Sequence, residues 1–92
     1  MIAYADCEFL IPTAHSLKEK RAVLQRMLTR TKQKYNVSIS ELDHQDTWQR
    51  TSIGIVAIAS QKDAAERELM NAIRFLESNP EWECIHINKE FL

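Results

Sequence analysis

The first eleven residues alternate between small or apolar side chains and more polar or bulky ones. One side of an extended chain would carry Ala3, Ala5, Cys7, Phe9 and Ile11. Alternation with a period of two over this length predicts a strand with one buried face. Pro12 has no backbone N–H to donate to a sheet, so it predicts the end of that strand.

The pattern then becomes helical between Leu17 and about Lys34, where apolar residues recur every three or four positions. Ser16 and Glu19 have the spacing of a capping box, which predicts where the helix begins. The predicted buried stripe consists of Leu17, Leu24, Met27, Leu28, Thr31 and Tyr35. Lys20 falls inside this stripe, so its ammonium group must reach past the sheet or meet a carboxylate.

Two further strands are predicted in the middle of the chain. Residues 36–43 place Val37 and Ile39 inward, and residues 48–59 are apolar on both faces. A strand that is apolar on both faces is typical of a central position in a sheet. It also predicts that the outer sheet face is partly covered, for which a second copy of the chain is one candidate.

The last two predicted elements are a helix and a short strand. Ser60 is the predicted cap of a helix that continues to about Glu77, and Asn79-Pro80 ends it. Residues 81–88 are predicted to form the final strand, with Ile85 and Ile87 facing inward.

The order β-α-β-β-α-β predicts an α+β fold, the ferredoxin-like split β-α-β sandwich, as a single domain over residues 1–92. This fold has a four-stranded antiparallel sheet with two helices on one face. The third strand lies between the first two, whose carboxyl ends then meet at one end of the sheet. Segments 12–21 and 43–50 should therefore form one surface.

Length and composition indicate the size of the core and the cellular compartment that we expect for this domain. With 92 residues and 45% hydrophobic residues, the chain can build one core, and no apolar run approaches the roughly 20 residues that cross a membrane. The sequence begins without the features of a signal peptide, so we expect a cytoplasmic protein. Cys7 and Cys84 are predicted to lie on opposite sheet faces and to stay reduced.

The net charge of −1 conceals a strong asymmetry. Residues 18–34 contain seven basic residues against one acidic residue, a balance of +6, and the remainder carries −7. Such a division can mark an element that binds a polyanion. The alternative is a solvated helix that neutralises the rest of its own protein.

The joint of the first strand and helix, together with the 43–50 hairpin, supplies the candidate binding residues. A helix N-terminus and nearby cations favour phosphate, and an aromatic side chain can stack on a base. The predicted nucleic-acid contacts are His15, Lys18, Lys20, Arg21, Arg26, Arg30, His44, Trp48 and Arg50. In the alternative interpretation, Asp43 and Asp46 pair with Lys20 and Arg21, and Trp48 closes the core.

Other kinds of chemistry receive little support. His15, His44, Asp43 and Asp46 are suitable metal ligands, but their spacing does not enforce a site. No base is fixed beside a nucleophile, and the only glycine, Gly54, excludes a glycine-rich phosphate loop. We therefore expect no catalytic residues, no metal and no cofactor.

The motifs His-Ser-Leu-Lys-Glu-Lys-Arg at 15–21 and Asp-His-Gln-Asp-Thr-Trp-Gln-Arg at 43–50 resemble the YlxP-like family of small bacterial proteins. The chain departs from the family pattern at Thr13, where glycine is common, and at Thr47, where leucine is common. The resemblance implies a ferredoxin-like fold and a link to translation or ribosome maturation, without an established activity.

Two functions are therefore expected. The first is a non-enzymatic protein that binds structured RNA or a ribosomal subunit through the phosphate-binding surface described above. The alternative is a homodimeric interaction module that uses Tyr4, Leu10, Val56 and Ile58 on the outer sheet face, with the basic helix serving solubility.

Overall fold

The computed structural model describes residues 1–92 and contains four strands and two helices in the predicted order. The elements are β1 (Ile2–Leu10), α1 (Leu17–Lys34), β2 (Val37–Asp43), β3 (Arg50–Ile58), α2 (Lys62–Glu77) and β4 (Glu83–Phe91). Neither helix combines the length and the apolar character that a membrane span requires.

The four strands form one sheet in the order β2-β3-β1-β4, with every neighbouring pair antiparallel. This arrangement confirms the predicted ferredoxin-like fold. β1 pairs with β3 along its whole length, from Ile2 opposite Ile58 to Leu10 opposite Arg50. β1 and β3 therefore occupy the centre of the sheet, and β2 and β4 form its edges.

The core lies between the inner sheet face and the two helices. Small residues, Ala3 and Ala5, allow the helices to approach β1 closely, while Phe9 and Ile11 fill the space near its end. Each of these side chains is completely buried. Burial of a side chain as large as Phe9 contributes roughly 1.5–3 kcal/mol, so β1 is a major source of stability.

The predicted start of α1 is confirmed. The Ser16 Oγ accepts a hydrogen bond from the Glu19 N–H at 3.1 Å, and the Glu19 carboxylate accepts one from the His15 N–H. The second bond reaches one residue further back than in a standard capping box. Two backbone donors at the start of α1 are thus satisfied by side chains of the chain itself.

The predicted cap of α2 is wrong. The capping position is Gln61, which makes no side-chain hydrogen bond to the helix, and Ser60 lies one residue before it. Asp63 in the first turn supplies a negative charge that favours the positive end of the helix dipole. The end of α2 agrees with the prediction, because Ser78 stops the helix before Pro80.

Ile87 of β4 lies on the predicted inner face of the sheet, opposite Cys7, but neither Ile87 nor Ile85 is buried. Ile85 and Ile87 are 45% and 38% exposed, because β4 is an edge strand and α2 packs over β1 and β3. Trp82, just before β4, is the large buried residue of this region. Its ring stacks on Phe9 at 4.3 Å, and its Nε1–H donates to the Leu76 carbonyl oxygen at 2.6 Å.

The two cysteines lie on the same face of the sheet, which corrects the predicted opposite faces. A register shift between Glu8 and Phe9 places Cys84 opposite Phe9, whose side chain points into the core. Cys7 points into the core from β1, and both thiols are free. The β-bulge reverses the phase of β4, which a strict alternation of faces does not anticipate.

Candidate nucleic-acid interface

The 43–50 hairpin and the joint between β1 and α1 lie against each other, as the topology predicted. The Ile11 N–H donates to the Gln49 carbonyl oxygen at 2.9 Å. The Gln49 Nε2 group donates to the carbonyl oxygens of Pro12 and Ala14 at 3.2 and 3.1 Å. The hairpin is therefore fixed against the start of α1 by contacts from a residue that sequence analysis did not select.

Lys20 is buried inside this junction, and its predicted role as a nucleic-acid contact is wrong. Its side chain is 1% exposed, and its Nζ lies 3.0 Å from the Glu41 Oε2. Nζ also donates to the His44 carbonyl oxygen. The Thr51 hydroxyl donates to the same Glu41 oxygen at 2.5 Å. The ammonium group is thus committed to the interior, where a phosphate cannot reach it.

The carboxylate that meets Lys20 comes from Glu41 instead of the expected Asp43 or Asp46. The pairing of β2 with β3 shifts between Glu41 and Asp43. Glu41 lies opposite Ile53, which faces the helices, whereas Asp43 lies opposite Ser52 on the outer face. The bulge therefore decides which acid neutralises the buried lysine.

On the outer face, Glu8 holds two of the predicted binding residues. Arg50 approaches the Glu8 Oε1 with its Nη2 at 2.7 Å and its Nε at 3.0 Å. The His44 Nε2 lies 3.3 Å from the same oxygen. Both side chains are therefore engaged within the protein, and a phosphate would have to compete with Glu8 for them.

His44 also has an unusual backbone. Its φ of 65° lies in the left-handed region, which is uncommon for residues other than glycine, although histidine, asparagine and aspartate adopt it more often than most. The Asp43 Oδ1 accepts a hydrogen bond from the His44 N–H at 2.7 Å, and Lys20 donates to the His44 carbonyl oxygen. These contacts hold His44 in this conformation at the turn where β2 ends.

The flank of α1 that carries Arg26, Arg30 and Lys34 is the next part of the helix surface, and two of these side chains contact other parts of the protein. Arg26 forms an ion pair with Glu81, and the Lys34 Nζ lies 4.7 Å from the centre of the Phe75 ring. Arg30 is exposed and makes no ion pair. Of the predicted residues on this flank, only Arg30 keeps its charge fully free.

The remaining free cations share one face of α1, which we call the α1 basic face and define as Lys18, Arg21 and Lys32. All three are exposed and none has an acidic partner. Their spacing places them on one side of the helix, where Gln25 and Thr29 lie between them. Sequence analysis missed Lys32, although its separation of eleven residues from Arg21 indicates the same face.

The other two predicted contacts, His15 and Trp48, are also solvent-accessible. His15 immediately precedes the cap of α1, and Trp48, in the hairpin, is 51% exposed. Trp48 therefore does not close the core. Because Gln49 fixes the hairpin beside residues 12–14, the Trp48 ring belongs to the same end of the molecule as the first turn of α1.

The outer sheet face is the second surface named by the sequence. Its apolar part lies at one end, where Ile2 pairs with Ile58 and Tyr4 with Val56. Ile58 is 65% exposed, and no helix covers this face. Burial, followed by a hydrogen bond with Asp6, raises the pKa of the Tyr4 hydroxyl.

The surroundings of the potential metal ligands and of the two thiols indicate what chemistry these side chains can support. No set of three or more His, Cys, Asp or Glu side chains is placed to hold a metal ion. Burial raises the pKa of the Cys7 thiol to about 12, and it also raises that of Cys84. Both thiols are therefore poor nucleophiles at neutral pH.

Solved structures with low sequence identity share this fold. The de novo designed protein Foldit4 is 12% identical with a TM-score of 0.61, and the match covers 100% of this chain and 99% of the other. SnoaB, a cofactor-independent oxygenase from Streptomyces nogalater, is 13% identical with a TM-score of 0.58, covering 99% and 92%. At this identity the likeness shows the fold alone.

Sequence comparison is more specific. The model of a family described as "Protein of unknown function (DUF503)" matches residues 2–89. "Uncharacterized protein YlxP" of Bacillus subtilis (strain 168) is 57% identical over 83 residues, which cover 90% of each chain. These two matches show that the chain belongs to the DUF503 family and is a YlxP-like protein.

Proposed function

We propose that this protein is a non-enzymatic RNA-binding protein that associates with structured RNA of the ribosome. It contacts phosphates through the α1 basic face, Lys18, Arg21 and Lys32. The observation that supports the proposal is that some basic side chains have acidic partners and others do not. Lys20, Arg26, His44 and Arg50 have acidic partners, whereas the three cations of the α1 basic face have none.

The lack of acidic partners matters because phosphate affinity depends on charge that is not already neutralised. A chain with a net charge of −1 repels a polyanion weakly overall, so binding requires a local concentration of positive charge. The exposed residues between Lys18 and Lys32 on this face are neutral, and two of them, Gln25 and Thr29, carry side chains that form hydrogen bonds. Basic side chains and neutral hydrogen-bonding side chains both make contacts with the phosphates and sugars of nucleic acids.

The proposed contacts are made by side chains, and the N-terminal amides of α1 contribute little. Ser16 and Glu19 already accept hydrogen bonds from the first free N–H groups, and the Glu19 carboxylate places a negative charge there. His15 and Trp48 extend the surface toward the hairpin. Trp48 offers a half-exposed ring on which an unpaired base can stack.

The experiment measures binding to purified ribosomal subunits by co-sedimentation over a series of salt concentrations. Affinity should fall steeply as salt rises, because bound phosphates release counterions. The double variant Lys18→Glu/Arg21→Glu should reduce the slope of log affinity against log salt by about two. Its thermal midpoint should stay close to that of the parent, since neither side chain makes an ion pair.

A matched control carries the same charge change on the other helix. Arg67 and Arg74 are exposed on α2 and make no ion pair, so Arg67→Glu/Arg74→Glu has the same net charge as the test variant. If both double variants lose affinity equally, binding reflects overall charge and the α1 basic face has no special role. Absence of binding at every salt concentration would also contradict the proposal.

A second candidate function is homodimerisation through the outer sheet face. It is favoured by the exposed Ile58 and by its apolar neighbours Ile2, Tyr4 and Val56, which no helix covers. Ile58→Lys should then abolish a dimer observed by sedimentation equilibrium without lowering the thermal midpoint. An unchanged monomer–dimer equilibrium in this variant would exclude the outer face as the interface.

A further inference from the structure

The α1 basic face carries its charge at two separate places. Lys18 and Arg21 lie one turn apart near the start of the helix, and Lys32 lies in its last turn. At a rise of about 1.5 Å per residue, the separation of Arg21 from Lys32 corresponds to roughly 16 Å along the helix axis. This separation is several times the spacing of successive phosphates along one strand of a duplex, which is about 3.4 Å in DNA.

The surface between the two charged ends is neutral. Gln25 and Thr29 are exposed there, and both side chains can donate and accept hydrogen bonds. This middle part of the face contains no aromatic residue. A surface that binds single-stranded RNA instead combines a groove of cations with aromatic side chains on which successive bases stack. The arrangement on α1 therefore favours two phosphate backbones with sugars between them.

The position of α1 in the fold decides which groove of a duplex it can contact. The opposite side of the helix is buried through Leu24, Met27 and Thr31, and α1 packs on β2 and beside α2. The helix is therefore part of a flat layer and presents only one side. A-form RNA has a deep, narrow major groove that side chains cannot read and a wide, shallow minor groove that displays 2′-hydroxyl groups. A flat surface fits the shallow groove.

We propose that the α1 basic face binds double-stranded A-form RNA across its minor groove. Lys18 and Arg21 contact phosphates of one strand, and Lys32 contacts a phosphate of the other strand. Gln25 and Thr29 form hydrogen bonds with 2′-hydroxyl groups between the two backbones. This mode of binding rests on the proposed function, and it specifies the form of RNA that the same residues bind.

The 2′-hydroxyl group makes this mode specific for RNA. It donates and accepts hydrogen bonds, and it allows a protein to distinguish RNA from DNA at a given site. B-form DNA lacks this group, and its minor groove is only about 6 Å wide, whereas a helix with its side chains is roughly 10 Å across. Discrimination between RNA and DNA should therefore depend on Gln25 and Thr29, and the salt dependence on the three cations.

The test measures binding of the full chain to labelled synthetic duplexes by fluorescence anisotropy. The probes are an RNA duplex of about 16 base pairs, the same duplex with 2′-fluoro groups in place of the hydroxyls, the corresponding DNA duplex, and one unpaired RNA strand. The 2′-fluoro duplex keeps the A-form but lacks the hydroxyl donor. The RNA duplex should bind at least about fivefold more tightly than the 2′-fluoro duplex, and at least about tenfold more tightly than the DNA duplex or the single strand.

Two variants separate the hydroxyl contacts from the phosphate contacts. Gln25→Ala/Thr29→Val should reduce the preference for the RNA duplex over the 2′-fluoro duplex to less than about twofold, without changing the slope of log affinity against log salt. Lys32→Gln is the matched control, because it removes a charge and retains a hydrogen-bonding side chain. It should weaken binding to both A-form duplexes equally and reduce the salt slope by about one. Circular dichroism checks that each variant remains folded.

The outcomes distinguish this mode of binding from the proposed function. Equal affinity for the single strand and the RNA duplex overturns the minor-groove mode. A preference for 2′-hydroxyl groups that is absent, or that survives Gln25→Ala/Thr29→Val, also overturns it. If ribosomal subunits still bind through Lys18 and Arg21 in these cases, only the minor-groove mode fails. Absence of binding to both the subunits and the RNA duplex overturns the proposed function as well.

Discussion

Replacing Lys20 by methionine removes one charge from the buried junction while retaining most of the side-chain volume. The substitution breaks the 3.0 Å ion pair with Glu41 and the hydrogen bond to the His44 carbonyl oxygen. It leaves the Glu41 carboxylate with the Thr51 hydroxyl as its remaining side-chain partner. We expect a large loss of stability, caused by the orphaned carboxylate and not by a cavity.

The magnitude follows from the burial of the two partners. Removing one member of a buried ion pair costs about 3–5 kcal/mol, because the other charge stays desolvated. Glu41 is 15% exposed and can recover some hydration, so we expect the lower end, about 3 kcal/mol. For a domain of this size, that loss lowers the thermal midpoint by roughly 12–24 °C.

The assay is urea unfolding of the four members of a double-mutant cycle. Glu41→Gln alone should be comparably destabilising, since it leaves the Lys20 ammonium buried beside a neutral amide. The Lys20→Met/Glu41→Gln double variant should lose only about 1 kcal/mol, because both charges are gone and the glutamine oxygen still accepts from Thr51. These values correspond to a coupling free energy of about 5 kcal/mol between the two side chains.

Two results would refute this reasoning. A loss below about 1 kcal/mol for Lys20→Met would mean that Glu41 is hydrated and that the pair behaves as a surface ion pair. Additive effects of the two single substitutions would mean that the side chains do not interact. In either case the hairpin would depend on Gln49 and the backbone for its position.

Three smaller predictions concern the cap, the single glycine and the buried thiol. Ser16→Ala should lower the free energy of unfolding in urea by about 1 kcal/mol, through loss of the helix cap. Gly54→Ala should change the free energy of unfolding by less than about 0.5 kcal/mol in the same assay, because the new Cβ would meet only the Leu42 side chain, 2.7 Å away at its Cδ1, and this half-exposed side chain can move aside. The Cys7 pKa of about 12 means that the unfolded state loses the thiol proton near pH 9, before the folded state does. Stability should therefore fall by about 1.4 kcal/mol per pH unit above pH 9, and Cys7→Ala should flatten that slope.

The elements that sequence analysis located correctly are those set by neighbouring residues. The alternation around Cys7 and Phe9 forms β1, and the Ser16–Glu19 spacing starts α1. These signals depend on backbone geometry within one or two turns, so a single sequence contains them completely. The order of the six elements then restricted the topology to the observed sheet order.

The errors arose where strands from distant parts of the chain determine the register. The bulge in β4 turned Cys84 toward the core and left Ile85 at an exposed edge. Ser60 failed as a cap because α2 begins one residue later than its spacing indicated. A shift of one residue reverses which face of a strand is buried, and cross-strand packing sets that shift.

The sequence alone determined that Lys20, on the buried stripe of a basic helix, must either reach past the sheet or meet a carboxylate, and that the 43–50 hairpin lies nearby. Only the tertiary structure decided that Glu41 supplies the carboxylate and that Glu8 engages His44 and Arg50. Those pairings in turn decide that the cations of the α1 basic face remain unpaired. Charge along a chain can be read locally, but its neutralisation depends on which side chains the folded sheet brings within a few ångströms.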